Sequence, residues 1–240
     1  MPTHISFLFK EVITCGAVLS TFELTQALKR LGIEAHIISE HNNQELENYF
    51  STHVERVPKG ITIAVSPKCE AEWAYVRTKD ERWKTHRSKK IAVSHWIADW
   101  IGTDIVIGNG THERFCDMGL ERDIDVLICG NYESNKNIDE TIQKANMLGR
   151  RVVWFGRSTR SIGEVETINA PSIEEIPYLY NRARSFLSCS KEEGWGRPVA
   201  EAMACGVPEV INLNGGNREI EVVSWESIAK KLITTLCLSQ

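Results

Sequence analysis

Short runs of β-branched and apolar residues alternate with helical patterns along this 240-residue chain. That alternation constrains the fold more than any other feature. Strands are expected at 5–9, 33–38, 61–65, 91–93 and 105–107, and again at 125–128, 152–155, 185–188 and 209–211. Between them, Phe22, Leu24, Ala27, Leu28 and Leu31 line one helical face, and Gly32 ends that helix. Ile138, Ile142, Ala145 and Leu148 repeat the spacing before Gly149. Strands that alternate with helices imply α/β architecture, with parallel sheets covered on both faces. So many strands suit two sheets of four or five strands, facing each other across a cleft, better than one open sheet. Residues 108–123 carry Gly108, Gly110, Gly119 and mixed charges, and read as the linker. Parallel sheets bind ligands at the carboxyl ends of their strands.

Composition removes other classes. Lys plus Arg is 28 and Asp plus Glu is 32, a formal charge of -4, so no stable nucleic acid partner is expected. No apolar run approaches the ~18 residues of a membrane span. The opening MPTHISFLFK has no positive start and no small-residue cleavage site, so it reads as a first strand rather than a signal peptide. The 7 cysteines are odd in number and none has CxxC spacing, which argues against a disulfide framework and a structural zinc site. Reduced thiols in the cytoplasm are the simpler expectation. Asp123-Ile124-Asp125 has the spacing of a DxD metal motif but stands at a strand start, so it reads as polar residues before a strand.

The most informative stretch is residues 188–217, SCSKEEGWGRPVAEAMACGVPEVINLNGGN. A strand ends in small polar residues. Glu193-Gly194-Trp195-Gly196 then forms a turn whose glycines let bare amides approach a ligand. Pro198 suits the first turn of a helix, which Gly206 stops. A helix N-terminus at the carboxyl edge of a sheet favours an anion. Glu193 in the loop and Glu201 in the helix would repel that anion unless they bind something else, and sugar and ribose hydroxyls are the natural partners.

EGWGRPVAEAMACGVPEV resembles the E-x7-E signature of retaining GT-B glycosyltransferases of the glycogen synthase and mannosyltransferase type, glycosyltransferase family 4. Other segments fall in the family's order. Residues 129–137 (CGNYESNKN) resemble the donor-diphosphate loop, residues 170–180 (APSIEEIPYLY) the segment before the donor-site strand, and residues 215–219 the glycine loop after the helix. Residues 106–110 resemble the domain junction, Ser224-Trp225-Glu226 the start of a final helix that crosses back, and Cys15-Gly16-Ala17 the acceptor-domain loop. The resemblance is firm from about Val126 onward. It implies a shortened Rossmann-like acceptor domain at 1–118, a Rossmann-like donor domain at 119–223, and a returning helix at 224–240.

The roles implied by the resemblance follow. The protein would move a sugar from a UDP- or GDP-sugar to a hydroxyl of an unidentified glycan, lipid or other acceptor, with retention of configuration. Glu193 would contact the donor sugar, and Gly194, Trp195 and Gly196 would hold its hydroxyls or phosphate. Glu201 would bind the ribose, Lys136 would neutralise the diphosphate, and Gly16 would let its loop approach the phosphate. No metal and no cofactor are expected, the nucleotide-sugar being a co-substrate. Asn131 stands where the family has arginine, so one charge is missing from the donor site, with Arg197 and Arg157 both open as its replacement. Residues 77–90 (RTKDERWKTHRSKK) are strongly basic. Arg77, Arg82, Lys84 and Arg87 are therefore expected to meet a phosphate-bearing acceptor or an anionic membrane surface. The protein would be cytoplasmic, with peripheral membrane contact kept open. Two other classes fit the same fold: a nucleotide-sugar-binding protein without transferase activity, and an epimerase or phosphorylase.

Overall fold

The computed structural model describes residues 2–13, 15–149, 151–157, 165–213 and 220–238. The chain divides into two compact units, Met1–His112 with Val223–Gln240, and Glu113–Val222.

Unit 1 runs β1 (His4–Leu8), α1 (Gly16–Arg30), β2 (Glu34–Ile38), α2 (Gln44–Phe50), β3 (Val54–Glu55), β4 (Ile61–Ala64), β5 (Trp73–Val76), α3 (Arg82–Thr85), β6 (Lys89–Ala92) and α4 (His95–Ile101). Its sheet is parallel throughout, in the order β3-β2-β1-β4-β5-β6. Residues 105–107, expected as a strand, form only an isolated bridge from Val106 to Ala92. β5 was not anticipated: all four of its residues are buried, so it lacks the alternation that marks a strand with one wet face. Asn43 and Ser94 cap α2 and α4 by accepting from Leu46 N–H and Ile97 N–H.

Unit 2 runs β7 (Ile124–Cys129), α5 (Ile138–Leu148), β8 (Val152–Gly156), β9 (Glu166–Asn169), α6 (Ile176–Asn181), β10 (Ala183–Ser188), α7 (Arg197–Ala204) and β11 (Glu209–Asn212). Its sheet is also parallel, in the order β11-β10-β7-β8-β9. Side chains alternate across it. Leu127, Val153, Phe155 and Phe186 pack with Tyr180, Val199 and Ala202 on one face. Val126, Ile128, Trp154 and Leu187 pack with Ile138, Ile142 and Ala145 on the other.

Glu113 to Met118, assigned to the first domain from sequence, lie in unit 2. Phe115 joins the unit 2 core, Asn181 Nδ2 donates to Cys116 O at 2.9 Å, and Met118 N–H donates to Asn181 Oδ1 at 2.7 Å. The last helix, α8 (Trp225–Leu238), packs on α1 within unit 1. Trp225 Nε1 donates to the buried Glu23 Oε2 at 3.0 Å, and Arg30 pairs with Glu226.

Candidate functional site in the second unit

The strand order of unit 2 reverses between β7 and β10. At such a switch point the connections after two adjacent parallel strands leave in opposite directions and open a crevice at their carboxyl ends. The two loops that leave this point carry the expected residues. Lys136 comes from the loop after β7, and Glu193 from the loop after β10. Lys136 Nζ binds Glu193 Oε1, with side chains 24% and 17% exposed. Lys191 N–H donates to Asn135 O at 2.8 Å, so the backbones of the two loops are joined as well.

The loop after β7 is held from below. Trp154 Nε1 donates to Gly130 O at 2.8 Å, and Gly130 N–H donates to Phe155 O at 3.0 Å. Gly130 has φ 151, a conformation that favours glycine. A Cβ on Gly156 would lie 2.2 Å from Gly130 O, so β8 needs glycine where the loop crosses it. Asn131 Oδ1 accepts from Arg157 N–H at 3.0 Å. The Arg157 side chain, at the end of β8, is exposed.

The loop after β10 turns at Gly196, whose φ of 85 places it in the left-handed region as the residue before α7. Pro198 lies in the first turn of that helix. Gly194 and Trp195 are half-buried and Gly196 is buried. Glu201 is 9% exposed. Its Oε1 takes Arg197 Nη2 at 3.1 Å and Nε at 3.2 Å, and its Oε2 accepts from Tyr180 Oη at 3.3 Å. Tyr180 had no role in the sequence reading; its place in PYLY signals a buried helix face but not this bond.

The half-buried Cys129 thiol at the end of β7 feels both carboxylates. Burial pushes it up to about 12, Glu201 and then Glu193 push in the same direction, and Lys136 and Tyr180 oppose them. One thiol therefore senses both acids and the lysine, which gather around the end of a single strand.

Other expected features fall elsewhere. Asp123 and Asp125 lie at the amino end of β7: Asp123 pairs with Arg182 and Arg151, and Asp125 with Arg184. Among the described residues no group of three or more His, Cys, Asp or Glu could hold a metal ion. Gly16 begins α1 in unit 1 and is exposed. Arg77 corrects an expectation. It is 7% exposed, donates from Nη1 to Ala17 O at 2.9 Å and lies 4.4 Å from the Tyr75 ring centroid, so it is buried rather than part of an exposed basic surface. Arg82, Lys84 and Arg87 are exposed, the first two paired with Asp80 and Glu81. The expected glycine loop at residues 215–219 lies outside the described residues.

Lysine and acid thus meet at the switch point of unit 2. Residues 113–227 match the family described as Glycosyl transferases group 1. The matched segment holds Lys136, Glu193, Arg197 and Glu201. The O-antigen chain mannosyltransferase B of Escherichia coli is 46% identical over a shared part that covers 35% of this chain and 27% of that protein. The chain therefore spans just over a quarter of the length of that curated relative. Among solved structures, sucrose-phosphate synthase from Thermosynechococcus elongatus superposes with a TM-score of 0.67 at 12% identity, covering 98% of this chain and 90% of that one. The Anabaena protein HepE, in complex with UDP and glucose, gives 0.68 at 15% identity, covering 98% and 90%. Together with the two parallel sheets, these likenesses show a GT-B fold. Among the described residues no helix is long and apolar enough to cross a membrane.

Proposed function

We propose that this protein is a retaining glycosyltransferase that moves a sugar from a UDP- or GDP-sugar to a hydroxyl of a glycan, lipid or other acceptor. The observation that carries the reading is the meeting of Lys136 and Glu193 across β7 and β10, within the segment that matches group 1 glycosyl transferases. A cation at a switch point suits a diphosphate, and carboxylates beside it suit the hydroxyls of the attached sugar and ribose.

In this reading Lys136 neutralises charge as it builds on the departing diphosphate, the kind of stabilisation that contributes most to many catalysed reactions. Glu193 accepts from sugar hydroxyls near the reacting carbon. Glu201 accepts from the ribose, with Arg197 and Tyr180 holding its carboxylate in place. The diphosphate leaves from the face the acceptor enters and takes the acceptor's proton. No protein nucleophile, metal or cofactor is part of the scheme. The related mannosyltransferase makes GDP-mannose the first donor to test. We place the protein in the cytoplasm, with Arg82, Lys84 and Arg87 available to an anionic membrane.

The test is release of nucleoside diphosphate from a panel of UDP- and GDP-sugars, with and without EDTA, followed by NMR of the product's anomeric centre. Transfer or slow hydrolysis that survives EDTA, with retained configuration, is expected. Loss of turnover in EDTA would contradict metal independence. Binding without any bond cleavage would make the protein a binder. Phosphate-dependent release of sugar phosphate from a glycan would identify a phosphorylase, and conversion of the donor without acceptor an epimerase.

A further inference from the structure

Two cations beside the end of β7 are each matched by a carboxylate. Lys136 holds Glu193, and Arg197 holds Glu201. A diphosphate that draws the Lys136 ammonium to itself therefore loosens its hold on Glu193. A carboxylate that is 17% exposed and gives up this ammonium is costly to leave without a partner. The sugar of an intact donor supplies hydroxyls to that carboxylate. A free nucleoside diphosphate supplies none.

We propose that the Lys136–Glu193 pair discriminates against free nucleoside diphosphate in favour of the intact nucleotide-sugar, and so speeds departure of the spent product. This rests on the donor-site reading above and adds a consequence to it. Glu193 competes with the β-phosphate for Lys136. When the sugar has been transferred, the carboxylate loses its hydroxyl partners and retakes the ammonium, which expels the diphosphate. The cross-link between Lys191 and Asn135 keeps the two loops at a fixed separation, so the pair can re-form without a large backbone movement.

Removing a residue of the binding site should tighten the binding of one ligand. Isothermal titration of the full chain with UDP, GDP, UDP-glucose and GDP-mannose tests it on wild type, Glu193→Gln and Lys136→Gln. Glu193→Gln is expected to bind the diphosphate about tenfold more tightly than wild type, the scale of one charge-assisted hydrogen bond. It should bind the corresponding sugar nucleotide no more tightly. Lys136→Gln should weaken both. If Glu193→Gln fails to fold by circular dichroism, Glu193→Ala is measured with the same expectation. Diphosphate affinity within twofold of wild type, or weaker, in a folded Glu193 variant overturns the inference while leaving the donor site standing. A wild-type chain that binds none of the four ligands overturns the donor-site reading and this inference together.

Discussion

The Tyr180 hydroxyl donates to Glu201 Oε2 at 3.3 Å, while Arg197 occupies Oε1 of the same carboxylate at 3.1 Å. A core tyrosine of α6 and a residue of the glycine loop's own helix thus hold one acid from two sides. Glu201→Gln breaks the ion pair. It is expected to cost about 1–3 kcal/mol of stability and to weaken nucleotide binding more than turnover of bound donor. Glu193→Gln should instead lower turnover strongly. Thermal melts beside separate Kd and kcat measurements distinguish the two, and an unchanged nucleotide Kd in Glu201→Gln would remove its ribose role.

The contact between Gly156 and Gly130 gives a second expectation. A methyl group at 156 would stand 2.2 Å from Gly130 O, a backbone atom that Trp154 also holds. Gly156→Ala must push the loop that carries Lys136. A stability loss of about 1–3 kcal/mol, the usual cost of overpacking, together with weaker diphosphate binding, is expected in urea titrations and calorimetry. Wild-type affinity in this variant would mean that the loop tolerates displacement.

Asn131 leaves one charge fewer at this corner than arginine would, and the structure separates the two replacements considered. Arg197 is engaged by Glu201, whereas the Arg157 side chain is exposed and its N–H is fixed by Asn131 itself. Arg157→Ala is expected to weaken UDP or GDP binding about tenfold, the scale of a charged hydrogen bond. The double variant Asn131→Arg/Arg157→Ala should recover most of it. No loss in the single variant would rule Arg157 out.

Asp123 yields a pH dependence. Arg182 first, and Arg151 after it, hold its carboxyl well below the usual carboxylate range, against the opposing effect of burial. A depressed value means stability that is present above the ordinary aspartate value of about 3.9 and lost as pH falls toward the folded one. Asp123→Asn lacks that increment. Its deficit in melting temperature should be full at neutral pH and close below about pH 4. A deficit that stays constant down to pH 3 would show that the two arginines contribute no charge-dependent stability.

The surface of α3 supplies the last prediction. Lys79 lies 3.9 Å from the Trp96 ring centroid and Lys84 5.0 Å from that of Trp100, so exposed bases and half-buried indoles share one patch. Reversing Arg82, Lys84 and Arg87 should weaken binding to vesicles of anionic lipid by about 1 kcal/mol per charge and leave binding to neutral vesicles unchanged. Arg77→Ala, at a buried position of unit 1, should lower stability instead. Equal binding by the reversed protein would remove the membrane role.

Much of the scaffold was legible because its signals are local. The 3.6-residue spacing of Ile138, Ile142 and Ala145 with Gly149 at the end marks α5, and the glycines and Pro198 around Glu193 mark the turn into α7. β3, β5 and β9 were not legible. β3 is two residues long, β5 is buried throughout, and β9 is an edge strand of half-exposed and exposed residues, so none shows a period to read.

The amino-acid order by itself determined that two rounds of parallel strand and helix would form, and that lysine, two glutamates and a glycine turn would leave the carboxyl ends of second-unit strands. Only the tertiary structure decided that Lys136 and Glu193, 57 positions apart, neutralise each other. It also decided that Tyr180 braces Glu201 and that Arg77 is buried. The reason is that period and punctuation act over a few residues, whereas pairing depends on which strands lie side by side. Here the reversal of strand order sets β10 against β7, and with it one loop against the other.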